Sequence, residues 1–114
     1  MAIDIGVERF EDLVGEALDG LPDEIASMLE NVVLMVDDGA PGGPLGLYQG
    51  IPRTARAQYG HMEMPDRITI FRIPLCRMAR DEDHLVREVR ITVVHELGHH
   101  LGIDDRRLHE LGYG

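Results

Sequence analysis

The first apolar positions of the chain recur at helical spacing. Phe10, Leu13, Val14, Ala17 and Leu18 stand three or four apart, or side by side, which places them on one face of a helix starting near Val7. Gly20-Leu21-Pro22 breaks it, because proline removes a backbone donor and glycine weakens helical backbone. Asp23-Glu24 then opens a short second helix through Ile25, Met28 and Leu29. At Asn31 the pattern changes: Val32-Val33-Leu34-Met35-Val36 is an unbroken apolar run bounded by polar residues, which predicts a buried strand.

From Asp37 to Asp66 the pattern lapses. Gly39, Pro41, Gly42, Gly43, Pro44 and Gly46 argue for irregular backbone, with a short strand expected at Leu47-Tyr48-Gln49 and nothing decisive at Met62-Glu63-Met64. A connection this long in so small a domain is either functional or mobile, and the expectation is a flexible flap beside a cleft. Arg67-Ile68-Thr69-Ile70-Phe71-Arg72-Ile73 predicts another strand, ended by a turn at Pro74.

A long helix follows. Leu85, Val86, Val89, Val93 and Leu97 form its apolar stripe, Arg87, Glu88 and Arg90 lie off it, and Asp81 and Asp83 are candidate N-caps. On this helix sits His95-Glu96-Leu97-Gly98-His99-His100-Leu101-Gly102-Ile103-Asp104-Asp105, a run of the form H-E-x-x-H-x-x-G-x-x-D. Helical residues four apart stand one turn above each other, so His95 and His99 can hold one ion between them. Glu96 is rotated to one side, where it reaches a metal-bound water without becoming a ligand. Gly102 suits a left-handed helix end, after which Asp105 is carried back towards the ion. Asp104 competes for that third position; the spacing favours Asp105 and leaves Asp104 to cap a terminal helix from Arg106 to Leu111.

Two imidazoles and one carboxylate leave a fourth position open for water, the arrangement of a catalytic site, and zinc is the default ion for that donor set. H-E-x-x-H alone recurs by chance; the glycine and aspartate at fixed offsets, and the helical pattern leading in, make the signal specific. Gly98 inside the helix costs about 1 kcal/mol relative to alanine, which points to close backbone approach to the sheet or to substrate, unless packing alone requires it. His100 is expected to be exposed or just behind the ligands, His84 and His109 to lie on the surface, and His61 in the loop.

The chain resembles the small bacterial zincin-like metallopeptidases, and the likeness extends beyond the motif. Phe10-Glu11-Asp12-Leu13-Val14, Leu45-Gly46-Leu47-Tyr48-Gln49-Gly50-Ile51-Pro52, Pro65-Asp66-Arg67-Ile68-Thr69-Ile70-Phe71 and Val93 through Asp105 all look like segments of that family. The resemblance implies one minimal domain over residues 1–114 of the α+β class. In it a small mixed sheet packs against the N-terminal helices and a long H-E-x-x-H helix, with a short C-terminal helix. It further implies one zinc ion on His95, His99 and Asp105, and Glu96 as the general base of peptide-bond hydrolysis. Zincins hold an extended substrate against an edge strand, and Arg67–Ile73 is the expected edge. The chain departs from metzincins: Asp105 stands where they carry a third histidine, and no methionine follows it, so a floor beneath the metal is expected from Met62, Met64 or Met78. Tyr48, Tyr113 and Arg106 are candidates for stabilising an oxyanion, each with a simpler reading as a packing or surface residue.

Composition narrows the partners. At 114 residues the chain can build one modest core. A net charge of −10 argues against nucleic acid or an anionic membrane as partner and permits a basic or extended peptide. No signal-peptide pattern and no run of membrane-spanning length is present, so a cytoplasmic location is expected. The lone Cys76 fits a reducing compartment and reads as a buried thiol near Leu75. Peptide-bond hydrolysis therefore ranks first. A zinc-binding module that recognises a peptide or partner protein without cutting it ranks second, and the intact Glu96 argues against it. A metal-dependent endoribonuclease is a distant third: the histidine spacing is similar to that of ribosomal-RNA maturation enzymes, but those lack the glutamate and this protein is acidic.

Overall fold

The computed structural model describes residues 3–50 and 65–113. The helices follow the apolar pattern. α1 (Val7–Asp19) buries Phe10, Leu13, Val14 and Ala17, and α2 (Asp23–Leu29) buries Ile25. Pro22 ends the break between them, its carbonyl accepting from the Ile25 and Ala26 amides. Next come β1 (Val32–Asp37), β2 (Gly46–Gln49) and β3 (Asp66–Phe71), then α3 (Arg72–Met78), α4 (Glu82–Leu101) and α5 (Asp105–Glu110). Met62-Glu63-Met64, His61 and most of the expected flap lie outside the described residues.

The sheet is mixed, in the order β1-β3-β2, with β1 parallel and β2 antiparallel to β3. The expected edge strand is therefore corrected: β3 is central, its backbone groups engaged on both sides, and the edges among the described residues are β1 and β2. The strand also stops at Phe71, and Pro74 lies in the first turn of α3 instead of making a turn of its own. A first-turn proline forfeits no intrahelical hydrogen bond, so the helix tolerates it. Arg72 helps turn the chain out of the sheet, its guanidinium donating to Asp38 Oδ1 at 2.9 Å and to the Ile5 carbonyl at 2.8 Å.

Register explains a third difference. Leu34 and Tyr48 flank Ile68, while Val36 and Gly46 flank Ile70, and these share the face covered by helices. The opposite face carries Val33, Met35 and Leu47, which are 42%, 44% and 43% exposed. β1 is thus half-buried, not buried. Its run looked continuous because the open face is apolar as well.

The core forms where α4 meets α1 on one side and β2 and β3 on the other. Leu85, Val89, Val93, Val94 and Leu97 of α4 are fully buried with Phe10, Ile25, Ile68, Ile70 and Leu75. Each such side chain contributes about 1.5–3 kcal/mol of transfer free energy. Cys76 is buried as expected, and desolvation pushes its thiol above the ordinary range, so it is a poor nucleophile. No helix of the described residues is long and apolar enough to cross a membrane.

Two arginines tie α1 to α4. Arg9 donates to both oxygens of Glu82, at 2.6 and 3.1 Å, and that hydrogen bond holds the Glu82 carboxyl below its usual range. What this exposed pair adds is small, present at neutral pH and lost as acid protonates Glu82. Arg90 reaches further. Its Nε donates to the Ala17 carbonyl at 2.9 Å and Nη2 to that of Glu16 at 3.4 Å, bringing positive charge and extra donors to the negative end of α1. Arg90→Ala should therefore lower stability by about 1–2 kcal/mol, read from urea midpoints. The exposed Arg87, mutated in the same way, should leave the midpoint almost unmoved.

Candidate metal centre

α4 carries the motif and is well delimited. Asp81 caps its start, accepting from the His84 amide at 2.7 Å, and Gly102 ends it at φ 81°, the left-handed conformation expected of it. Between these ends, burial sorts the motif. Val93, Val94, Leu97 and Gly98 face inward; His95 and His99 are exposed, one turn apart, and Glu96 is half-buried. Asp104 accepts from the Arg107 amide at 2.7 Å and so caps α5, as the spacing suggested; Asp105 is the exposed first residue of that helix.

α4 thus brings His95 and His99 together, while Asp105 is not gathered beside them: among the described residues, no three His, Cys, Asp or Glu side chains stand as an ion would need. The donor chemistry nevertheless suits zinc, with two imidazoles set by one rigid helix and a carboxylate one short turn beyond its end. A contact absent from the sequence reading involves the same atoms. His95 Nε2 lies 2.7 Å from the Tyr113 carbonyl, to which it donates, and it cannot hold an ion through that nitrogen at the same time.

The other candidates fall into place around this pair. Gly98 approaches neither the sheet nor the cleft: a Cβ there would meet Leu108 Cδ1 at 3.2 Å and the Ile103 carbonyl at 3.6 Å, so glycine lets α5 close onto α4. Tyr48 is a core residue, its hydroxyl donating to Asp66 Oδ2 at 2.6 Å and its ring stacked on His100 with centroids 4.4 Å apart. Arg106 points into solvent beside Glu110. Met78, at the end of α3, precedes the start of α4, from which His95 stands about 20 Å along the helix, and it is not among the residues that line the cavity beside the histidines. Met62 and Met64 lie outside the described residues. His84 is not a surface residue: it is largely buried, accepting from the Arg80 amide at Nδ1 and pairing with Glu88 through Nε2.

A cavity of about 250 Å³ opens beside the pair. Pro44, Leu45 and Gly46 form one wall, and Glu88, Ile91, Thr92, His95 and Glu96 form the other. The residue that brings these walls together is Gly46, which the sequence reading grouped with loop glycines. A Cβ on it would stand 2.6 Å from Thr92 Cγ2, 3.3 Å from the Thr69 carbonyl and 3.7 Å from Glu96 Cγ. Thr92 turns its hydroxyl back to the Glu88 carbonyl at 2.8 Å, leaving its methyl to meet the strand.

The chain belongs to the zincin-like metallopeptidase family, whose pattern matches residues 27–114, from within α2 through the motif to the end. It is similar in structure to a conserved hypothetical protein of T. thermophilus, with 26% identity, a TM-score of 0.54, and coverage of 84% of this chain and 94% of that one. No curated protein matches it.

Gly46→Ala should push β2 away from α4, because neither the Thr92 methyl on a packed helix nor a strand carbonyl can yield by the required distance. A loss of about 1–3 kcal/mol is expected in a denaturation experiment. The Thr92 methyl resonance should shift with it.

Proposed function

We propose that the protein hydrolyses peptide bonds with one zinc ion held by His95, His99 and Asp105. The observation that carries this reading is the position of Glu96, half-buried at the wall of a cleft that His95 also lines, with Pro44, Leu45 and Gly46, where β2 begins, forming the opposite wall. Zinc, when bound, supplies Lewis acidity, polarising a carbonyl oxygen and lowering the pKa of a bound water to about 7.

The chain's own residues supply the rest. Glu96 accepts the proton of the attacking water and returns it to the leaving amine. Among the described residues β2 lies at an edge of the sheet, the position at which an extended peptide can add to a sheet through main-chain hydrogen bonds. That role passes to β2 from the central strand. Asp104 is committed to capping α5, which supports Asp105 as the third ligand. A non-catalytic zinc module is the second reading, favoured by Asp105 standing outside the histidine pair.

Zinc-loaded protein incubated with a diverse peptide library, with cuts read by mass spectrometry, separates the two. Glu96→Gln should keep its zinc and lose turnover by about 10²–10⁴-fold. A zinc-bound parent that makes no cuts, or a Glu96→Gln protein that cuts as well as the parent, would overturn the peptidase reading.

The third ligand is tested by metal titration. Asp105→Ala should weaken zinc binding at least about tenfold, whereas Asp104→Ala should keep it and lose about 1 kcal/mol of stability with its cap. Retained affinity in Asp105→Ala would move the ligand elsewhere.

A further inference from the structure

Resting on the peptidase reading, we propose that Glu88 makes the cleft select a cationic side chain, arginine or lysine, at a substrate residue close to the scissile bond. Glu88 stands two helical turns before Glu96, and both line the same cavity. Eight helical residues span about 12 Å. Two extended peptide residues cover about 7 Å of that, and a long basic side chain covers the remainder. Between the two carboxylates the wall is Ile91 and the Thr92 methyl, faced by Pro44 and Leu45, an apolar passage suited to the methylene stem of such a side chain.

Among the described residues no cation cancels the charge at the end of this passage. The Glu88 side chain is only 18% exposed, and its side-chain partner among the described residues is His84, whose Nε2 lies 3.2 Å from Oε1. The Arg80 amide donates to His84 Nδ1 at 2.9 Å, so that nitrogen carries no proton and the ring is the neutral Nε2–H form. His84 therefore orients Glu88 by hydrogen bonding and brings no positive charge to it. The neighbouring arginines are accounted for. Arg90 is turned to the carbonyls of α1, and Arg87 is exposed. Apart from the motif's own His95, no basic residue among the described residues lines the cavity. A carboxylate on the wall of a cleft, with one oxygen hydrogen-bonded to a ring, favours a guanidinium or ammonium over a neutral group of the same shape.

Two measurements test this, one independent of catalysis. N-acetyl-arginine amide and its neutral isostere N-acetyl-citrulline amide are titrated into the full chain, following the Ile91 and Thr92 methyl resonances. The arginine probe should shift them at about tenfold lower concentration than the citrulline probe, and Glu88→Gln, which keeps the acceptor for His84, should abolish the difference. Equal responses to the two probes, or a difference that survives in Glu88→Gln, would overturn the proposal. In the second, matched peptides carrying arginine, lysine, citrulline or methionine on either side of the cut are compared by kcat/KM. A preference of about tenfold or more for the cationic peptides, collapsing in Glu88→Gln, supports it. A parent that cuts all four equally rejects Glu88 as the determinant while leaving the peptidase standing. A parent that cuts none, yet distinguishes the two probes, rejects the peptidase and keeps the cation site.

Discussion

The orientation of α4 about its own axis is the constraint on which the rest depends. Val93, Val94 and Leu97 are fully buried, and the exposed His95 and His99 alternate with them along a single helix. Successive residues are turned by about 100°, so rolling α4 by one residue would put fully buried side chains into water at about 1.5–3 kcal/mol each. The hydrophobic effect that builds the core therefore also aims the imidazoles. The core and the candidate centre are two sides of one helix, and no loop is needed to position the two histidines.

What this helix faces is decided by the strand beside it. β2 is short, an edge strand among the described residues, and it reaches α4 only because Gly46 presents no side chain to the Thr92 methyl. The contact sets the width of the cleft along which Glu88, Thr92 and Glu96 are arranged. The same economy recurs at the other end, where Gly98 lets Leu108 and Ile103 pack onto α4 and so fixes where α5 begins. Asp104 and Asp105 then divide their work by position: the first is spent on the helix cap, and the second is left facing solvent.

Charge is distributed with similar consequence. Most acidic side chains of this protein of net charge −10 are exposed, and several pair with arginines that fasten helices to one another, as Arg9 does with Glu82 and Arg107 with Glu24. Glu88 differs because its partner among the described residues is the imidazole of His84, on the wall of a cleft. Among the described residues no cation meets its charge.

Periodicity and motif spacing did not determine α3, which the pattern reads as a strand end and a turn. By themselves they determined α1, α2, α4 and α5, the left-handed end at Gly102 and the capping role of Asp104, and they narrowed the cap of α4 to Asp81 or Asp83. Each of these is decided within a few residues, by hydrogen bonds and sterics that a local pattern records. The tertiary structure alone decided that β3 is central, since strand order is a matter of partners distant in sequence, and that β1 is half-open, since an apolar open face hides a period of two. It alone revealed the close approach of Gly46, the partnership of His84 with Glu88 and the Tyr113 carbonyl on His95, because a glycine needed for contact and one needed for a turn are written with the same letter. Donor types for a metal site can be read along a chain; how closely they gather depends on packing between elements that the chain brings together only on folding.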